Sequence, residues 1–300
     1  MNAIHVNGLT KKYGNHTAVD HISFTVGRGE LFAFLGENGA GKSTTIGMLS
    51  TILEKTSGEA EIFGHSLGRE DSDIRQSIGI VFQNSVLDQK LTVAENLLTR
   101  GSYYGYSKKE IMERLKPCWE AFQLGSIWRQ RYSTLSGGQK RRVDIIRALI
   151  HDPGILFLDE PTTGLDPMSR KLVWDYIHYL RREKQLTIFL TTHYMEETTD
   201  ADHVVIMDHG KIIAEGTPAD LKSRHAKSRL LWYHENTPEA DALLQNFEYR
   251  YDTDHYTAYF EENPTEFLYC NRDMIRDYEI IKGSMDDVFL SLTGKELQYA

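Results

Sequence analysis

The stretch that most constrains this chain is Gly36-Glu37-Asn38-Gly39-Ala40-Gly41-Lys42-Ser43-Thr44. It follows an apolar run, Leu31-Phe32-Ala33-Phe34-Leu35, and opens into a helix-compatible segment from Thr44 to Leu53. Strand, glycine loop and helix in that order form the context in which G-x-x-x-x-G-K-[ST] reads as a phosphate cradle. Glycines reach backbone dihedrals closed to other residues and let N–H groups approach phosphate oxygens. The helix N-terminus adds unpaired N–H donors and a partial positive charge. Lys42 is placed to reach the β- and γ-phosphates, and the Ser43 hydroxyl to ligate Mg²⁺.

A length of 300 residues allows two domains, or one large domain with an appendage. The longest apolar runs are about five residues, as at Leu31–Leu35, against the roughly 18–20 needed to cross a bilayer. The opening Met1-Asn2-Ala3-Ile4-His5 lacks the basic and apolar regions of a signal peptide. Cys118 and Cys270, far apart and outside any paired motif, suggest a reducing compartment. A cytoplasmic protein is expected. The net charge of −9 is uneven: residues 227–300 carry −8 and half of the sixteen tyrosines, which places a domain boundary near 225. An acidic tail domain argues against nucleic acid as a partner, because phosphate backbones need a basic face.

Along the chain, Ile4–Asn7 and Ile22–Val26 alternate as half-buried antiparallel strands do, with Tyr13-Gly14 marking a loop between them. An Ala60–Phe63 strand, a short Ser72–Ser77 helix and an Ile78–Phe82 strand ending at Gln83 follow. From Leu91 to about Gln130 the pattern is helical, with capping boxes at Thr92/Glu95 and Ser107/Glu110. This reads as a helical insertion, about residues 84–137, within an α/β domain spanning 1–224. A second α/β section runs Val143–Ile150 helix, Ile155–Leu158 strand, Met168–Arg182 helix, Leu186–Leu190 strand, Glu196–Asp200 helix, then a Val204–Met207/Lys211–Ala214 hairpin. The expected fold is a mostly parallel sheet covered on both faces, with antiparallel strands at its N-terminal part. Residues 225–300 read as βαββαβ, a ferredoxin-like order, closed by a helix that starts at Ser284-Met285-Asp286-Asp287 and contains Val288-Phe289-Leu290.

Two further stretches carry chemistry. Ile155-Leu156-Phe157-Leu158-Asp159-Glu160 is an apolar strand ending in paired carboxylates. Asp159 suits Mg²⁺ where a strand end meets a phosphate loop, and Glu160 suits orienting or deprotonating an attacking water. Leu135-Ser136-Gly137-Gly138-Gln139 has capping-box spacing and starts a helix from about Lys140. Two glycines in a first turn cost roughly 1 kcal/mol each against alanine, which makes sense if a ligand must approach the backbone. The chain thus carries two phosphate-type helix starts, which need not serve the same nucleotide. Asp166-Pro167 reads as an N-cap with proline at N1. His193 lies beyond the carboxyl end of a strand, the ligand side of such a sheet. Lys140-Arg141-Arg142 reads as a solvated basic face.

The phosphate loop, Gln83, Leu135–Gln139, Asp159-Glu160, Gly164-Leu165-Asp166-Pro167 and His193 together resemble, in order and spacing, the ATP-binding cassette (ABC) ATPases over roughly residues 3–222. The resemblance implies a P-loop ATPase that binds ATP and Mg²⁺ and acts as a head-to-tail homodimer. It implies that Tyr13 stacks on adenine, that Gln83 contacts Mg²⁺ and the attacking water, and that His193 holds the γ-phosphate and orients Glu160. Ser136, Gly137, Gly138, Gln139 and Asp166 would act from the other subunit. The stretch Pro161–Arg170 and the Val-Phe-Leu ending resemble the daunorubicin-type exporter ATPases. These imply a separate membrane permease, a peripheral position on the inner membrane face, and a drug, antibiotic or lipid-like substrate. Asn84–Asn96, with Val86 and Leu87 expected exposed, is the expected docking stretch on that reading. A soluble cassette ATPase of translation or DNA repair is the alternative.

Overall fold

The structure, a computed structural model, describes residues 2–261 and 263–294. The chain divides into two compact units that meet at Ile213 and Ala214. The first begins with a long hairpin, β1 (Asn2–Tyr13) and β2 (His16–Gly27), and then β3 (Leu31–Leu35), which is buried along its whole length. The phosphate loop leads into α1 (Lys42–Leu49). β4 (Ser57–Ile62), β5 (His65–Ser66), α2 (Asp71–Ser77) and β6 (Ile78–Val81) follow.

The helical stretch comprises α3 (Val93–Ser102) and α4 (Lys108–Ala121), each opened by the capping box its sequence predicts. Then come α5 (Gly137–Leu149), β7 (Ile155–Asp159), α6 (Pro167–Lys184), β8 (Thr187–Thr192), β9 (His203–Asp208) and β10 (Lys211–Gly216). Strands order as β10-β9-β3-β8-β7-β6, parallel from β9 to β6, while β2-β1-β4-β5 form an antiparallel sheet. The two sheets share one core, in which Phe24 stacks on Phe32 at 5.4 Å and meets Phe34 edge-on at 5.1 Å. Packing β3 centrally places its carboxyl end, and the phosphate loop, beside the ends of β8 and β7, where ligands bind on sheets of this kind.

Several boundaries differ from expectation. The helix expected at Glu196–Asp200 is a 3₁₀ turn, Met195–Thr198. Leu87, expected exposed, is buried, while Val86 is 48% exposed. Arg141 and Arg142, expected on a solvated face, are buried, because α5 is covered by neighbouring elements and its charges find partners inside.

The second unit contains α7 (Pro218–His225), β11 (Ser228–Tyr233), α8 (Pro238–Leu244), β12 (Glu248–Tyr251), β13 (His255–Phe260), α9 (Thr265–Cys270), β14 (Tyr278–Ile281) and α10 (Met285–Thr293). Its sheet orders as β12-β13-β11-β14, all neighbours antiparallel, which is the ferredoxin-like arrangement. Leu230, Trp232, Tyr256, Ala258 and Phe260 pack on Ala240, Leu244 and Leu268 of the helices. The unit starts ahead of the composition shift at 225 because α7 packs against α10. Val288 and Phe289 are buried in α10, and Leu290 faces outward. No helix among the described residues is long and apolar enough to cross a membrane.

Candidate functional site

The phosphate loop must turn sharply between β3 and α1, and Gly41 is the residue that permits it. Its φ of 108° lies in the left-handed region, and an added Cβ would stand 2.5 Å from the Ala18 carbonyl oxygen. That close approach folds the loop against β2 and leaves the first-turn N–H groups of α1 without intrahelical partners. A cleft of about 470 Å³ opens over them, lined by Tyr13, Asn38, Gly39, Gly41, Lys42, Ser43, Thr44, Gln83 and Glu160. His16 and Ala18 also line it; the sequence did not single them out, though their place just after Tyr13 in the hairpin is the available signal. Gly36 and Ala40 lie below this surface: the Gly36 N–H donates to the Thr192 carbonyl, and the Ala40 N–H to the Glu37 carbonyl.

Lys42 is buried at the floor. Its ammonium donates to the Gly36 and Glu37 carbonyls at 2.5 and 2.9 Å and lies 3.8 Å from Glu160 Oε1. Burial pulls its pKa down, opposed by the charges of Glu160, Asp159 and Glu37. A buried cation aimed into a cleft of backbone donors is a site for a polyanion. Next to it, the Ser43 hydroxyl donates to Asp159 Oδ1 at 3.0 Å, and the Thr191 hydroxyl donates to the same oxygen at 2.7 Å. Hydroxyl and carboxylate oxygens side by side, at a strand end facing phosphate donors, fit the hard-oxygen demands of Mg²⁺.

Glu160 is the most constrained residue of the group. Its φ of 44° is unusual for a side chain with a Cβ, and its N–H is held by the Thr191 carbonyl and hydroxyl at 3.2 and 3.1 Å. Such strain, of order 1–3 kcal/mol, persists only where the surroundings fix it. Gln83 Nε2 and the Thr163 hydroxyl each donate to Glu160 Oε2 at 3.1 Å. His193 Nδ1 lies 3.5 Å from Glu160 Oε1 and is buried without a hydrogen-bond partner. Lys42, Gln83, Asp159, Glu160 and His193 are therefore one constellation, drawn from four segments of chain. Its Glu160 carboxylate is held by Gln83, Thr163 and Lys42, and His193 Nδ1 makes no hydrogen bond.

Ser136–Gln139 and Asp166 form a second constellation. Ser136 Oγ accepts from Gln139 N at 3.3 Å and Gln139 Oε1 accepts from Ser136 N at 2.9 Å, a closed capping box. Asp166 caps α6 through Ser169 N at 3.0 Å and Ser169 Oγ at 2.6 Å, contacts that hold its carboxyl below the usual range. Gly138 packs against Ser169, so its lack of a Cβ serves helix packing as well as any ligand.

Arg141, one turn into α5, joins the two constellations. Its guanidinium donates to the carbonyls of Phe82, Asp159 and Pro161. The residues before Gln83 and on either side of Glu160 are thus tied to the helix that Ser136 starts. The Asp144 carboxylate on the same helix accepts from the Ser85 and Tyr132 hydroxyls at 2.7 and 3.0 Å. Sequence reading missed both residues because their burial depends on partners distant in the chain.

Residues 19–163 match the ABC transporter family. The daunorubicin/doxorubicin resistance ATP-binding protein DrrA of Streptomyces peucetius is 38% identical, over 97% of this chain and 92% of its own length. The Nod factor export ATP-binding protein I of Rhizobium sp. (strain N33) is 38% identical, over 99% of this chain and 98% of its own. Among solved structures, cbiO1 from Clostridium perfringens, part of the ABC transporter complex cbiONQ, aligns with a TM-score of 0.67 at 30% identity, over 73% of this chain and 90% of that one. Full-length similarity at this level, on a fold that assembles the phosphate loop, paired carboxylates and His193 at one cleft, settles the family: the chain belongs to the ABC transporter family, as an ATP-binding subunit that hydrolyses ATP.

Proposed function

We propose that this chain powers a membrane exporter, driving a separate permease through ATP-dependent closure of a two-fold homodimer on the inner membrane face. The observation that carries the reading is the bracket around Glu160, whose carboxylate meets Lys42, Gln83, Thr163 and His193 at the edge of the cleft. In this reading the phosphates lie over residues 36–44 and the base against Tyr13. Ser43, Asp159 and Gln83 would hold Mg²⁺, which would supply charge neutralisation for the phosphates. Glu160 takes the proton of the attacking water, and His193 Nδ1 gains the partner it lacks from the γ-phosphate.

The second constellation faces the cleft of another copy: Ser136, Gly137, Gly138, Gln139 and Asp166 complete its site. A two-fold pair then satisfies both sites with one sequence. The relatives' roles in drug resistance and Nod factor export support export of a drug, antibiotic or lipid-like substrate. Val86, exposed in the loop after Gln83, supports permease docking at residues 84–96. The relatives are transporter subunits, which leaves the translation or DNA-repair alternative without support.

Glu160→Gln tests the reading. ATP binding is expected to persist while turnover falls by at least about 100-fold, the scale of a lost general base, and an ATP-dependent dimer accumulates in gel filtration. Turnover within a factor of a few of wild type would remove Glu160 from the catalytic role.

A further inference from the structure

Glu197, in the 3₁₀ turn Met195–Thr198, is only 4% exposed and is not part of the cleft. One carboxylate oxygen accepts the Thr192 hydroxyl at 2.6 Å, and the other accepts the Thr162 hydroxyl at closer range. Thr192 immediately precedes His193. Its hydroxyl also accepts the Tyr194 N–H at 2.9 Å, and its carbonyl accepts the Gly36 N–H of the phosphate loop at 3.3 Å. Thr162 lies just past Glu160, in the loop that continues to Asp166. Arg141, donating to the neighbouring Pro161 carbonyl at 2.6 Å, supplies the positive charge that faces this carboxylate.

We propose that Glu197 is a positioning residue for ATP hydrolysis: through Thr162 and Thr192 it holds the loop carrying Glu160 and Asp166 in register with the turn carrying His193. The inference rests on the reading of Glu160 and His193 as the hydrolytic pair. Both threonines are fully buried, so their hydroxyls have no water to turn to if the carboxylate is lost. The role needs a carboxylate, because both oxygens must accept; a glutamine side chain has one acceptor oxygen and would keep only one of the two loops. Glu197 makes no hydrogen bond with Lys42 or Ser43, the residues proposed to hold most of the phosphate, so a loosened bracket should slow chemistry far more than it weakens nucleotide affinity.

The test compares ATP affinity, kcat, KM and thermal unfolding for the full chain and for Glu197→Gln, Thr162→Val and Thr192→Val. Glu197→Gln is expected to lower kcat at least about tenfold with KM changed less than about twofold, since misplacing reacting groups by ~1 Å costs up to ~10²-fold. Adding Thr162→Val to Glu197→Gln should cost little more, because the bracket is already open. A kcat within twofold of wild type in Glu197→Gln, or equal losses of kcat and ATP affinity, overturns the proposal. Should Glu197→Gln not fold, the two valine variants, which keep side-chain volume, decide by the same criteria. Failure of the underlying reading is separately visible, because Glu160→Gln would then retain turnover.

Discussion

Arg141 holds three backbone carbonyls that no other side chain reaches among the described residues, at Phe82, Asp159 and Pro161. Burial lowers its pKa against the charges of Asp144 and Asp159, so the guanidinium is held by its partners rather than by water. Arg141→Met keeps apolar bulk but strands those carbonyls, at about 1–3 kcal/mol for each that water cannot reach. A stability loss of about 2–4 kcal/mol is expected, read as a lower urea midpoint with an unchanged m-value. His151, just past α5, gives a pH signature. One ring nitrogen faces the Ile78 carbonyl at 2.8 Å and the other, Nδ1, is buried with no partner, so the neutral ring is the form that fits. Burial, followed by Arg147, lowers its pKa from the ordinary value of 6.5, while the Ile78 carbonyl and Asp152 oppose. The unfolded chain therefore binds this proton first. Stability from this residue is fully present above pH 6.5 and is lost as pH falls through the lower folded value. Urea midpoints at pH 7.5 and pH 5.5 should differ less in His151→Gln than in wild type; an equal difference would remove His151 from the account.

The start of α5 separates packing from ligand binding at the level of the element. A Cβ on Gly138 would stand 2.5 Å from Ser169 Oγ and 2.7 Å from Ser169 Cβ, forcing α5 away from α6. On Gly137 it would meet only the end of Leu165, at 3.1 Å, which can move aside. Gly138→Ala should therefore destabilise the fold by about 1–3 kcal/mol despite better helix propensity. Gly137→Ala should leave unfolding within about 0.5 kcal/mol of wild type. If Gly137 meets nucleotide from the other subunit, this variant still loses ATPase activity, and normal activity would confine the glycine to a turn. These helix starts were legible because capping is local: Thr92/Glu95, Ser107/Glu110, Ser136/Gln139 and Ser284/Asp287 are closed boxes in the structure. Buried strands were legible as continuous apolar runs. Burial of Arg141 and Arg142 was not, because it depends on Phe82, Phe122, Asp159 and Pro161, distant in the chain. Nor was the end of α9 at Cys270, since the apolar pattern continues to Ile275, which is buried just beyond a turn rather than in a helix.

At the scale of the whole molecule, the proposed reading gives each chain two incomplete halves of a site, with Arg141 as an internal link between them. On that reading the cleft supplies phosphate donors, a cation site and a base, and the second constellation supplies a capped helix start with no base of its own. Arg141 joins these two segments within one chain, so in the proposed dimer closing one site would constrain the strand end that carries Glu160 in the other. This arrangement predicts a complementation result that a self-contained site does not. Ser136→Arg and Glu160→Gln should each be inactive alone, the first unable to complete its neighbour's site, the second unable to activate water. Mixed as chains able to exchange, they form heterodimers with one site built from an intact cleft and an intact Ser136 face. Half the dimers are mixed and each has one good site of two, so ATPase activity should recover to about one quarter of wild type if the sites are independent. Recovery to about that level locates the site between chains. A mixture as inactive as its components, with mixed dimers demonstrated by tagging, would mean that both sites must fire together or that Ser136 acts within its own subunit. Repeating the mix with Ser136→Arg/Glu160→Gln against wild type separates those two. Both sites of that mixed dimer are broken if they are shared, whereas a site complete within one subunit leaves the wild-type chain fully active.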